Sequence, residues 1–219
     1  MAAALTRPGV RSTVLTVLDV PIRDRTAERR AATRLEILAA AWELAREKGL
    51  AALTLRDVGA RIGMRAPSLY SYFESKHAIY DAMFGQAWSG YLVALDAVES
   101  DLPSEPRAAM KVLARTFFDY AVADLPRHQL MNQRTIPGFV PSPASYAQAV
   151  AVLERARAHL AESGVDDPAD VDLFTALIGG LIDAQQANDP GGDRWARLLD
   201  TAMDMFADHA GLAGSTRRD

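Results

Sequence analysis

Thr54, Gly63, Pro67 and Ser75 punctuate one short stretch of the chain and leave it little choice of fold. Thr54-Leu55-Arg56-Asp57 has the form of a capping box, a hydroxyl at the cap with a carboxylate three residues on. The helix it opens runs toward Gly63, which can take the positive φ of a helix-ending turn. Pro67 then falls in the first turn of a second short helix, where its missing N–H is harmless, and that helix leads through Leu69, Tyr70 and Phe73. Ser75 caps the next. Two short helices joined by a glycine turn make a helix-turn-helix. Gly59 is small where the two helices must cross, and Val58, Ile62 and Leu69 supply apolar contact between them. Leu69 and Phe73 read as core, whereas Tyr70 and Tyr72 fall on successive sides of one helix and cannot both be buried.

Helical periodicity continues on both sides of this block. Leu35, Leu38, Trp42 and Ala45 recur at threes and fours before Gly49, and Ile79, Met83, Ala87, Tyr91 and Leu95 keep the spacing from Ser75 to about Ser100. Pro103 and Pro106 break the chain. Further helices are expected over 106–124, 143–163, 167–187 and 193–209, with a short segment over 126–133. The loop Pro137–Pro143 and the turn Asp189–Gly192 separate them. The expected fold class is all-α, with about nine helices.

Composition narrows the function. The 219 residues include no cysteine, which excludes a disulfide scaffold, a cysteine-ligated zinc and a cysteine nucleophile. No apolar run is long enough to span a bilayer, and no secretory leader is legible, so a soluble, cytoplasmic protein without membrane contact is expected. Residues 1–80 carry 13 Lys+Arg and 8 Asp+Glu, a net of +5, while residues 81–219 carry 11 and 20, a net of −9. A basic front on an acidic body suits a polyanionic partner, or is simply a solvated surface. Arg7, Arg11, Arg23 and Arg25 make residues 1–25 a basic, flexible arm, either plainly disordered or reaching DNA phosphates.

The run from Leu53-Thr54-Leu55-Arg56-Asp57-Val58-Gly59-Ala60 through Arg65-Ala66-Pro67-Ser68-Leu69-Tyr70-Ser71-Tyr72-Phe73 to Lys76 closely resembles the DNA-binding domain of the tetracycline-repressor (TetR) family, over roughly residues 33–84. The resemblance implies a three-helix DNA-binding domain over 26–75, a helical ligand-binding and dimerisation domain over 76–210, and a disordered tail over 211–219. It also implies DNA contacts. Thr54 and Arg56 start the second helix, and Arg65, Ala66, Pro67 and Ser68 start the recognition helix. Tyr70, Tyr72 and Lys76 take backbone-contact roles. Arginines in the groove can bind guanine O6 and N7 in bidentate fashion, whereas phosphate contacts fix register without reading sequence. Two positions depart from the family pattern. Gly59 stands where alanine is usual, a loss of up to about 1 kcal/mol in helix propensity. Arg65 stands where serine or threonine often caps, so it reads bases or only touches phosphate.

For the body, Trp88, Tyr91, Phe117, Tyr120, Met131 and Gln185, with Asn132 or Arg134 as polar anchors, are candidate walls of a small-molecule site; core packing is the alternative for each. Ala176, Gly179, Gly180, Ala184, Leu198, Ala202 and Met205 are small or apolar at helical spacing, as a dimer interface between the last two long helices requires, or an internal core. The implied partners are double-stranded DNA carrying a palindromic operator, a small-molecule effector and a second copy of the chain. The implied role is a repressor; an activator and a helical adaptor that binds no DNA are the alternatives. No cofactor or metal is expected. His77, His128, His159 and His209 are far apart in sequence, Pro126 interrupts any pairing of Asp124 with His128 on one helix, and Asp183 and Asp204 have no evident acid–base partner, which disfavours catalysis.

Overall fold

The structure, a computed structural model, describes residues 25–212, and all but one residue of the expected amino-terminal arm lies outside them. Among the described residues the fold is all-α. Its helices are α1 (Arg25–Lys48), α2 (Leu55–Arg61), α3 (Ala66–Leu69), α4 (Lys76–Glu99), α5 (Pro106–Val122), α6 (Leu125–Asn132), α7 (Pro143–Glu162), α8 (Pro168–Asn188) and α9 (Leu199–His209), with a 3-10 turn over Ala196–Leu198.

Side-chain caps set most of these starts. Thr54 Oγ1 accepts from Asp57 N (3.1 Å), Ser75 Oγ from Ala78 N (3.0 Å), Ser142 Oγ from Ser145 N (3.2 Å) and Asp167 Oδ1 from Ala169 N (2.9 Å). Each occupies one of the N–H groups that a helix start leaves open. Prolines stand in the first turns of α3, α5, α6, α7 and α8.

Three local readings need correction. Pro126 does not break a helix: it sits in the first turn of α6, and Asp124 is the cap, its Oδ1 accepting from Arg127 N (3.1 Å). The recognition helix is a single turn, since the chain leaves α3 at Tyr70 and reaches Phe73 through bonds from Tyr72 N and Phe73 N to Leu69 O (2.8 and 2.9 Å). The last helix starts at Leu199 rather than near Asp193. Gln185 Oε1 at the end of α8 accepts from Trp195 N (2.9 Å) and Ala196 N (3.1 Å), and Asp189 accepts from Arg194 N (2.9 Å), so these N–H groups are held against α8. Past α9, Gly211 takes φ 72° and Arg107 Nη2 donates to Leu212 O (2.8 Å), so the first two residues of the expected tail are anchored.

Apolar burial forms two cores. One gathers Ile37, Leu53, Val58, Leu69, Tyr80 and Met83 from α1 to α4 and extends to Leu130 and Met131 of α6. The other joins α5, α8 and α9 through Ala114, Phe118, Ile182, Leu199, Met203 and Phe206. Phe117 packs against both. Polar bonds pin the helices that cross between them. Trp42 Nε1 of α1 donates to Gln86 of α4 (2.8 Å), and Asp81 of α4 accepts from the Ser142 N–H (2.6 Å) and from the hydroxyls of Ser142 and Ser145 (both 2.9 Å) at the start of α7.

Candidate nucleic-acid interface and internal cavity

The α2–α3 turn is fixed from within. Gly63 takes φ 69°, and Met64 N returns to Gly59 O (2.8 Å). A Cβ on Gly59 would lie 2.6 Å from Met64 O, so the glycine is what allows the turn to close against α2. Val58 and Leu69 are fully buried beneath it, and Ile62 partly.

From the other side, α1 grips the end of the recognition turn. Arg30 donates to Ser71 O with its guanidinium 5.2 Å from the Tyr72 ring, and Arg34 donates to Tyr72 O while lying 4.0 Å over the Phe73 ring. Sequence reading missed both arginines, because their partners are backbone carbonyls about forty residues away. Arg61 is likewise committed to α1, bonding Glu43 (3.0 Å) and Glu47 (2.6 Å).

What remains facing outward is the set expected to meet DNA. Thr54, Arg56, Arg65, Pro67, Ser68 and Tyr70 are exposed, and Ala66, Tyr72 and Lys76 are half-buried. The side chains of Arg56, Arg65 and Tyr70 make no hydrogen bond or ion pair to another described residue. Lys76 Nζ donates to Ala51 O (3.3 Å) and sits 5.4 Å from the Tyr80 ring, which ties the start of α4 to the α1–α2 turn. Asp57 accepts hydrogen bonds from the Lys48 ammonium and from the Thr54 hydroxyl (2.7 Å), which hold its carboxyl below the usual range. An exposed helix start with unpaired arginines and a tyrosine, on a rigid base, can offer hydrogen bonds to base edges and phosphates.

A cavity of about 710 Å³ lies among α4, α5, α7 and α8. The structure places four of the expected wall residues on it, Trp88, Tyr91, Phe117 and Asn132. The Trp88 and Phe117 rings stack (6.2 Å, 13°) and Tyr91 meets Phe117 edge-on (5.0 Å). The other four lie elsewhere. Tyr120 bonds Ala87 O (2.7 Å) and crosses over Gly90, where a Cβ would come within 2.6 Å of its hydroxyl. Met131 is buried in the first core, Gln185 is engaged with the turn after α8, and Arg134 is exposed.

The cavity also carries a pair that spacing did not suggest. His128 Nε2 lies 2.8 Å from Asp183 Oδ1, which corrects the reading of Asp183 as unpartnered. Gln133 Nε2 donates to the same oxygen (2.9 Å). The second ring nitrogen faces Asn132 (3.1 Å), so no hydroxyl or thiol nucleophile completes a catalytic set. Asp204, also read as unpartnered, bonds Lys111 (2.6 Å). Among the described residues no three His, Asp or Glu side chains converge as a metal site.

Residues 37–83 match the model of the bacterial regulatory proteins, tetR family. Over this segment the chain carries the amino-terminal, DNA-binding domain of that family. The match takes in most of α1, all of α2 and α3, and the first residues of α4. The matched segment is thus a helix-turn-helix of the kind that DNA-binding transcription regulators carry. Solved structures share the whole fold. A protein from Rhodococcus sp. RHA1 superposes with a TM-score of 0.70 at 20% identity, over 83% of this chain and 95% of that one. A TetR-family transcription regulator from Marinobacter aquaeolei VT8 gives 0.60 at 18% identity, over 83% and 97%. The regulator FadR from Bacillus subtilis, in complex with stearoyl-CoA, gives 0.58 at 14%, over 78% and 96%. No curated protein matches the sequence. No described helix is long and apolar enough to cross a membrane.

Proposed function

We propose that the protein is a homodimeric repressor that leaves a palindromic operator when a small molecule enters the cavity among α4, α5, α7 and α8. The observation that carries this reading is the course of α4. It begins at Lys76, beside the recognition turn, and its later residues Trp88, Tyr91, Leu95 and Glu99 line the cavity. One rigid element thus reaches both sites, so a ligand preferring a shifted α4 changes the placement of the recognition turn. By linkage, DNA then weakens the ligand by the same factor. That FadR holds stearoyl-CoA supports a small-molecule role for a body of this fold.

The second copy is proposed to dock on the outer face of α8 and α9. Ala176, Gly180, Leu198 and Met205 are exposed there, Ala184 and Ala202 are half-exposed, and Leu173 adds further apolar surface. Ala176 and Gly179 also line the cavity. Pairing α8 and α9 with their copies forms a four-helix bundle. A two-fold dimer reads half-sites about 34–36 Å apart, one turn of duplex.

The test is fluorescence anisotropy with DNA from upstream of the protein's own gene against a scrambled duplex, across a range of salt. Specific binding that weakens with salt and is lost in Arg65→Ala supports the regulator. Absence of binding to any duplex at low salt returns the adaptor reading.

A further inference from the structure

The cavity wall is aromatic and aliphatic, but its charged groups are one-sided. Glu99, Glu162 and Asp183 line it, and none of the described lining residues is lysine or arginine. Glu99 is partly balanced from outside the wall by Arg155 (3.5 Å) and approached by His159 (3.1 Å). Asp183 stands at the mouth of the cavity, its side chain 56% exposed and with no lysine or arginine partner among the described residues. Its Oδ1 accepts from His128 and Gln133, and its Oδ2 has no partner among the described residues.

His128 Nε2 faces Asp183 Oδ1, and Asn132 Nδ2 donates to His128 O (3.3 Å) while lying 3.1 Å from Nδ1. What this group leaves open toward a ligand, Asp183 Oδ2 and Asn132 Oδ1, are acceptors. Tyr91 supplies an independent sign of a ligand. It is only 4% exposed, lines the cavity and has no hydrogen bond to a described residue. Burial first, and the charge of Glu99 second, push its phenol well above the usual value, so it stays protonated.

We propose that the cavity takes a lipophilic amine, its protonated nitrogen on the Asp183 carboxylate and its apolar body against Trp88, Phe117 and Ile178. The class rests on the reading of this cavity as the effector site. A carboxylate or acyl-phosphate ligand would bring a negative charge against an apolar wall whose described lining has no lysine or arginine and already holds carboxylates. An ammonium meets the reverse, a carboxylate acceptor and the faces of two aromatic rings. The volume suits a drug-sized molecule.

The test is calorimetric titration of the full-length protein with decylamine, decanol and decanoate, kept below micelle formation, so that one apolar tail carries three head groups. Decylamine is expected to bind about tenfold tighter than decanol, the ratio a charge-assisted hydrogen bond gives over a neutral one, with decanoate weakest. Asp183→Asn is expected to erase the preference of amine over alcohol. Gly179→Leu fills the cavity, because a Cβ there meets nothing within 4 Å, and is expected to abolish decylamine binding with its melting temperature kept. Decanoate binding as tightly as decylamine, a preference that survives Asp183→Asn, or no binding of decylamine overturns the proposal. The two readings fail separately. An amine preference in a protein that binds no duplex removes the regulator and leaves the ligand class, whereas release of DNA by decanoate does the opposite.

Discussion

Arg46 on α1 and Asp124 at the cap of α6 form a direct bond between the helix-turn-helix and the body: Nε and Nη2 reach Asp124 Oδ2 at 2.8 and 2.7 Å. The carboxylate is buried to 6% exposure while the guanidinium is 52% exposed, so the pair is asymmetric. Arg46→Met strands a buried charge, whereas Asp124→Asn keeps a capping oxygen and strands none. Stability is expected to fall by about 1–3 kcal/mol in the first variant, discounted for the exposure of the arginine, and by less in the second. Chemical denaturation measures both, and the reverse order would show that the bond does not hold the interface.

At Gly59 helix propensity and packing pull in opposite directions. Alanine gains up to about 1 kcal/mol of propensity, but its Cβ would press on a backbone oxygen, Met64 O at 2.6 Å, which cannot rotate away. Gly59→Ala is therefore expected to lower stability by a net of about 1–2 kcal/mol, as overpacking commonly does, and to weaken DNA binding. A rise in the denaturation midpoint would contradict this.

Arg34 acts on DNA through the fold. Arg34→Leu removes the donor to Tyr72 O and the contact over Phe73. Operator affinity is expected to drop about tenfold, with the slope of log affinity against log salt unchanged, because no phosphate contact is lost. A slope smaller by about one would place Arg34 on a phosphate instead.

Acid should loosen the helix-turn-helix first. Lys48, with Thr54, holds Asp57 below its ordinary 3.8, and Arg61 holds Glu47 below its ordinary 4.5. Both folded values are depressed, so the unfolded chain takes up protons first. The contribution is complete above the unfolded values and is lost as pH falls through the folded ones. Melting temperature is expected to decline below about pH 4.5. Asp57→Asn should flatten part of that decline, and an unchanged profile would remove Asp57 from the account.

Met205 is 68% exposed on α9, between the half-exposed Ala202 and the carboxyl end of the helix. Met205→Glu places a charge in the proposed interface. A shift from dimer to monomer in sedimentation is expected, with loss of operator binding; a variant that remains dimeric would move the interface elsewhere.

Local rules made much of the fold legible. Thr54, Ser75, Gly63 and Pro168 act through partners only a few residues away, and a cap or a turn is written in those residues. Arg34, Gln185 and the His128–Asp183 pair act across 38, 10 or 11, and 55 positions. No spacing rule reaches that far, so α9 was expected too early and Asp183 was read as alone. The same limit divided the cavity wall. Trp88 and Tyr120 are both aromatic and at helical spacing, and only the close approach permitted by Gly90 seats Tyr120 against α4 rather than on the cavity.

The length of α4 sets a scale for signalling. Its 24 residues span about 36 Å, and the residues at its far end line the cavity. A tilt of about 5° about that end carries Lys76 sideways by about 3 Å, close to the ~3.4 Å between neighbouring base pairs. In a pair of such subunits the errors add. A ligand that wedges the wall open by about the width of a methyl group would put the two recognition turns out of phase with the groove by more than one base pair.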